Sequence, residues 1–320
     1  MVTAHGPDRE LLDRTAERAL RRLDAMRPSF RLPPDVTTGA DPDLTLKPLA
    51  ELAELAGLVA ERHPLPALRD LATGLFDFAW RESGEGELFA ELVRAEPQAT
   101  YPVEIYGVFA RAGRRSARAE ELMATTTRLR LWRVARADHT RTLGVLNAER
   151  RIGLPPHADF SAVLALTGLG RRAEPWALDR TAVYGVTHDV FHLTDWGRTR
   201  RRLPAHLADY LRLWVPAWLE TWTDEELWDL VGELLAVSAC LPGAPYHAGA
   251  WRRLAAAQAA DGSVAEVGTL PPGADPFTGC YHSTLVTAFA ATLARQAVPR
   301  AAPATARPGR VPSPDSEVTP

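Results

Sequence analysis

The segment YGVTHDVFHLTDWG, Tyr184 to Gly197, carries the densest set of side chains able to bind a metal or move a proton. In a helix, His188, His192 and Asp195 stand at i, i+4 and i+7 and share one face. That spacing lets two imidazoles reach one cation, while the carboxylate serves as a third ligand or orients a ring. The competing reading is a pair of hydrogen-bonded core histidines and an aspartate that ends the helix before Gly197. Asp189 points about 100° away from His188 and reads as a solvent-facing or supporting group. A second polar group, Cys280 and His282 in TGCYHSTL, places a thiolate and an imidazole at the entrance to a helix. A third, Cys240 and His247, flanks the turn LPGAP. His188, His192, Cys280 and His282 together make a mixed nitrogen and sulfur sphere suited to zinc or another divalent metal. Asp195, Cys280 and Tyr184 are the catalytic candidates. A sphere with an open position acts as a Lewis acid, and a filled one is structural. A metal-free alternative uses Cys280 as nucleophile, a histidine as base and Asp195 as orienter. No Glu follows His188, so the metalloprotease pattern HExxH is absent.

These residues need helices to position them, and helices are what the chain offers. Amphipathic or apolar runs bounded by Pro and Gly recur at Arg9–Arg27, Leu49–Arg62, Ala67–Trp80, Glu87–Ala95 and Val103–Ala112. Ser116–Arg136, free of Pro and Gly, reads as one long helix, followed by Asp138–Arg150. The second half repeats the habit at Phe160–Leu169, Pro175–Leu193, Pro204–Trp222, Thr223–Cys240, Tyr246–Ala260 and Tyr281–Ala297. In TDEE, Thr223 and Glu226 have the spacing of a capping box. No alternating strand of six residues and no strand followed by a Gly-rich phosphate loop occurs. The expected fold is all-α, an alpha/alpha toroid or barrel of about six helical hairpins, since hairpins recurring every 20–30 residues stack into arrays or rings. One domain covers 1–298, and the Pro- and Ala-rich tail 299–320 reads as disordered.

The chain of 320 residues can bury a sizeable core, and its 46% hydrophobic and 24% charged composition is that of a globular protein. A net charge of −3 gives no broad attraction to nucleic acid or anionic membrane. Neither a signal-peptide core nor an apolar stretch of spanning length occurs, so the expected location is cytoplasmic. The Arg-, Ala- and Pro-rich composition is that of a high-GC bacterial sequence.

The stretch WRRLAAAQAADGSV, residues 251–264, resembles the Gln, Asp-Gly and aromatic pattern of terpene-cyclase and protein-prenyltransferase toroids, with Val264 in place of the final aromatic. GCYHSTLVTAFA resembles the zinc-bearing prenyltransferase beta subunit, and by that resemblance His282 matches the family's histidine ligand while Cys280 stands as a thiolate ligand. CLPG at Cys240 is similar to the first cysteine turn of the lanthionine-synthetase cyclases, whose adjacent Cys-His pair is missing. The resemblance covers at most 160–298 and implies inner-helix starts gathered around one pocket. The acidic motifs of both terpene-cyclase mechanisms are absent.

Tyr184, Phe191, Trp196, Trp214, Trp218, Trp222, Trp228 and Trp251 either line an apolar substrate pocket or fill a helical core. Tyr101, Glu104 and Tyr106 form a minor polar and aromatic group. The resulting expectation is a metal-dependent enzyme acting by Lewis-acid activation on a small or peptidyl apolar substrate, in bacterial specialised metabolism. The alternatives are a non-catalytic helical repeat protein that binds a peptide or protein, and a metal-free cysteine enzyme.

Overall fold

The computed structural model describes residues 8–297, so the tail expected at 299–320 lies outside the described residues. All regular structure among them is helical. The helices are α1 (Arg9–Ala25), α2 (Leu46–Arg62), α3 (Pro66–Glu82), α4 (Glu87–Ala95), α5 (Tyr101–Arg111), α6 (Ala117–Thr126), α7 (His139–Ile152), α8 (Phe160–Leu164), α9 (Gly168–Arg171), α10 (Arg180–Thr194), α11 (Ala205–Asp224), α12 (Trp228–Cys240), α13 (Ala248–Ala257) and α14 (Tyr281–Ala297). No helix among the described residues is long and apolar enough to cross a membrane.

Local sequence sets many of these boundaries. Asp8, Asp138, Asp159 and Asp179 each accept a backbone N–H from the first turn that follows, opening α1, α7, α8 and α10. Such a cap satisfies an amide that has no partner inside the helix. Gly153, at φ 92°, ends α7 in the left-handed conformation that glycine adopts without steric cost.

Helices differ in how much of their circumference they bury. On α1, Leu12, Thr15, Ala16, Ala19, Leu20 and Leu23 form one buried stripe. On α12, every residue from Trp228 to Cys240 is buried. The neighbours explain the difference. The helix α14 packs on α1, α2 and α12, and α12 also packs on α10, α11 and α13. On the other side, α2 packs on α3 and α5, α5 on α4 and α7, and α7 on α8 and α10. A helix enclosed on all sides must be apolar almost throughout, which is why the acids of α12 stand out.

Three expectations about elements are corrected. The long helix expected over Ser116–Arg136 ends at Thr126, where three consecutive threonines meet and the Thr127 hydroxyl donates to the Met123 carbonyl at 2.9 Å. The chain then folds back through a short turn that buries Trp132, whose indole N–H donates to Glu149 of α7 at 2.8 Å. The capping box at Thr223 does not form: α11 runs on through Asp224, and the reversal falls at Glu226, with φ 54°. Phe160–Leu169 is broken into α8 and α9 at Thr167, which is extended and whose hydroxyl oxygen accepts the Gly170 N–H to cap the second helix. The fold-back brings Gly170 so close to the Leu164 carbonyl oxygen that a Cβ there would stand 1.8 Å from it.

The QAADGS stretch is a structural staple. The Gln258 side-chain amide donates to the Thr15 and Gly262 carbonyls at 3.2 and 3.0 Å, which ties the end of α13 to α1.

Candidate metal and substrate site

Two acids and a histidine converge where α12 meets α14. On α12, Asp229 and Glu233 stand four residues apart on one face, and His282 lies in the first turn of α14. These three residues offer ligand atoms that all lie within 4.8 Å of one another. His188 of α10 approaches from a third helix, its Nε2 3.5 Å from Glu233 Oε1. Glu51 of α2 approaches from a fourth, its Oε1 3.8 Å from His282 Nε2.

The carboxylates are held from behind. The Tyr184 hydroxyl donates to Asp229 Oδ2 at 2.6 Å, and the Thr187 hydroxyl donates to Glu233 Oε2. His282 Nδ1 lies 2.7 Å from Asp229 Oδ1, the arrangement by which a carboxylate fixes an imidazole and directs its other nitrogen outward. The acids are nearly buried, Asp229 at 7% and Glu233 at 2% side-chain exposure, whereas His282 retains 26% and His188 36%. Charge is therefore anchored on the core side and the imidazoles face open space.

That space is a cavity of about 700 Å³ lined by Tyr184, His188, Asp229, Glu233 and His282 among others. A second cavity of about 670 Å³ adjoins it, with Tyr101, Ile105, Val108, Arg141, His192 and Trp196 in its wall. Asp43, Lys47, Glu51 and His188 line both.

The charges shift one another. Burial alone would lower the His282 imidazole, but Asp229 and Glu51 outweigh it and raise it to about 10. His188 is raised in the same way, with Glu233 overcoming burial. Asp229 is held below the usual carboxylate range, since His282 outweighs the cost of its burial. Burial pushes the Tyr184 phenol up, and Asp229 adds to this.

The residues singled out in the sequence divide between this site and other places. Tyr184, His188 and His282 meet in it. His192 lines the adjoining cavity, its ring 6.1 Å from that of His188. Burial and the positive neighbours His188 and Arg151 bring it down to about 3, so it is neutral, and its Nδ1 has no hydrogen-bond partner. Asp195 does not follow the two histidines along one face. Helix α10 ends at Thr194, and Asp195, at φ 52°, turns its carboxylate to Arg151, which donates from Nε at 2.8 Å. Asp189 is fully buried and accepts from the Thr140 hydroxyl at 2.9 Å, far from the solvent role its spacing suggested. Cys280 borders the cavity, yet its thiol interacts with Arg22, Asp261 and Ser263, and burial raises its pKa. Cys240 is buried beside Thr194 and Arg200, and burial pushes its thiol up to about 11. His247 sits at the N-cap of α13. Tyr106 donates to Glu120 at 2.6 Å and is fully buried. Among the eight aromatics, Tyr184 and Trp196 face the cavities, whereas Trp218, Trp228 and Trp251 fill the core.

Asp229, Glu233, Glu51 and Lys47 were missed by spacing arguments based on His and Cys. A signal was present: WDLVGELLAVSAC is a helical apolar run interrupted by just two acids, four residues apart.

Neither a curated protein nor a solved structure matches the chain. Residues 16–292 match a family described as a domain of unknown function, DUF6895, and the chain belongs to that family.

Proposed function

We propose that the protein is a metal-dependent enzyme whose cation is held by Asp229, Glu233 and His282, with His188 beside them as a proton-carrying imidazole. The observation that carries this reading is the convergence of those three side chains, at ligand spacing, on the wall of a cavity large enough for a small-molecule substrate. The donor set fits a cation. The Thr187 contact leaves Glu233 Oε1 turned toward His188, and His282 Nε2 stands beyond hydrogen-bond distance from Glu51. Carboxylate and imidazole donors without thiolate suit zinc, manganese or iron. The Cys280 ligand expected from sequence is left out of the proposal.

When bound, the cation supplies Lewis acidity toward a substrate carbonyl or water. The side chains do the rest. Tyr184 and Thr187 fix the two carboxylates, Asp229 fixes the tautomer of His282, and His188 Nε2 is placed to hold or pass a proton at the cavity face. The apolar and aromatic wall made by Ile105, Val108 and Trp196 accepts the body of an apolar substrate. The proposed architecture is the alpha/alpha toroid. The contacts of α14 with α2, α2 with α5, α5 with α7, α7 with α10, α10 with α12 and α12 with α14 support a closed inner ring of six helices.

A second reading, a metal-free acid–base enzyme, draws on the Tyr184, Asp229 and His282 relay. Calorimetric titration of the chelator-treated full chain with Zn²⁺, Mn²⁺ and Fe²⁺ separates the two. The metal reading expects one ion per chain and an affinity reduced more than about 100-fold by His282→Ala, beyond the usual cost of losing a supporting residue. Absence of stoichiometric binding, or unchanged affinity in H282A with cooperative unfolding retained, removes it.

A further inference from the structure

Lys47 is the only lysine in a chain whose Lys and Arg together number 37. It is exposed, and it stands in the wall shared by the two cavities, one turn before Glu51 on α2. Several other charges in these walls are already matched, although Asp43 has no ion-pair partner among the described residues and Glu51 Oε2 has no hydrogen bond. Glu54 is held by Arg151 and Arg198, Glu104 by Arg141, and Arg180 by Glu266, while Asp138 caps α7. The Lys47 amine has no carboxylate partner among the described residues. Nor does its position serve the helix: it lies in the first turn of α2, where the macrodipole disfavours a cation. A primary amine also differs from the guanidinium used everywhere else in this chain, being a compact point charge on a flexible stem.

We propose that Lys47 is the binding residue for an oxyanion of the substrate, a carboxylate or phosphoryl group, held across the cavity from the Asp229, Glu233 and His282 cluster. The assignment narrows the substrate of the metal-dependent reading, and rests on it, to an anionic molecule with an apolar body. One end pairs with Lys47, and the body lies along Trp196 and Ile105.

A single lysine makes the test direct. The chelator-treated full chain is acetylated with an amine-directed reagent, and the rate at Lys47 is followed by peptide mass spectrometry against the N-terminal amine. Inorganic phosphate and propionate are added separately, with chloride at matched ionic strength as control. Selective slowing by about tenfold is expected at a ligand concentration about ten times its dissociation constant. Slowing by phosphate alone assigns a phosphoryl group, and slowing by propionate alone a carboxylate. Equal rates under all conditions overturn the proposal. So does calorimetric binding of the protecting anion that is as tight in Lys47→Met as in wild type, whereas Lys47→Arg is expected to keep it. Because metal stoichiometry is read in a separate titration, protection without metal binding removes the metal and leaves the oxyanion subsite. Metal binding without protection does the reverse.

Discussion

Glu54, Arg151, Asp195 and Arg198 form one charged cluster and Asp229, Glu233, His188 and His282 another, and the two differ in what they leave unmatched. In the first, Arg151 reaches Asp195 at 2.8 Å and bridges to Glu54, Arg198 adds a contact to Glu54 at 2.6 Å, and all four side chains are at most 8% exposed. Two fixed cations face two carboxylates, and further contacts from Arg150 and Asn147 to Asp195 leave little capacity for a ligand. In the second, two buried acids face imidazoles that titrate and open on a cavity. The first cluster joins α2, α7 and the end of α10. The second keeps its partly exposed imidazoles on the cavity side. Guanidinium closes the first cluster with a fixed charge, whereas imidazole leaves the second able to titrate.

The sharpest way to break this contrast is Arg151→Met. Leaving Glu54 and Asp195 without their shared partner should cost about 3–5 kcal/mol, read as a lower midpoint in urea unfolding. A loss below about 1 kcal/mol, the scale of a surface pair, would mean that the cluster is not closed as described.

In the open cluster the matching change is Tyr184→Phe. It removes the hydroxyl behind Asp229 but keeps the ring, so metal affinity should fall about 10- to 100-fold while the unfolding midpoint moves little. An unchanged metal affinity would deny Tyr184 its positioning role.

The smallest effect is one of pH. Burial would raise the carboxyls of Glu54 and Asp195, but Arg151 and Arg198 hold both below their ordinary values of 4.5 and 3.8. Their stabilising contribution is therefore complete above those values and lost as pH falls below them toward the lowered native values. Asp195→Asn should flatten the acid limb of stability by up to about 1.4 kcal/mol per pH unit relative to wild type, with no change in slope above pH 5. Parallel acid limbs would place the linkage elsewhere.

Much of the fold was legible because an enclosed helix and an amphipathic one leave different sequence patterns, and neither resembles an alternating strand. The errors fall where a tertiary partner overrides a local preference. Trp132 leaves a helical run to reach Glu149, and α11 runs through the threonine that would have capped its successor. The site was half legible. His188 and His282 announced themselves by residue type, and their convergence awaited α12. Asp195 followed the helical spacing but turned away in a left-handed cap. Asp229 and Glu233 carried no motif, and their signal was an acid pair in an otherwise apolar run. Lys47 carried a signal of rarity that spacing rules do not register.

The complete enclosure of α12 also sets a timescale. Every residue of that helix is buried, so its amides are expected to exchange chiefly through global unfolding. Asp229 and Glu233 are carried on that helix, and their separation persists for as long as the molecule stays folded. Exchange of anything held between them is then left to the cavity side, where His188 and His282 keep partial exposure.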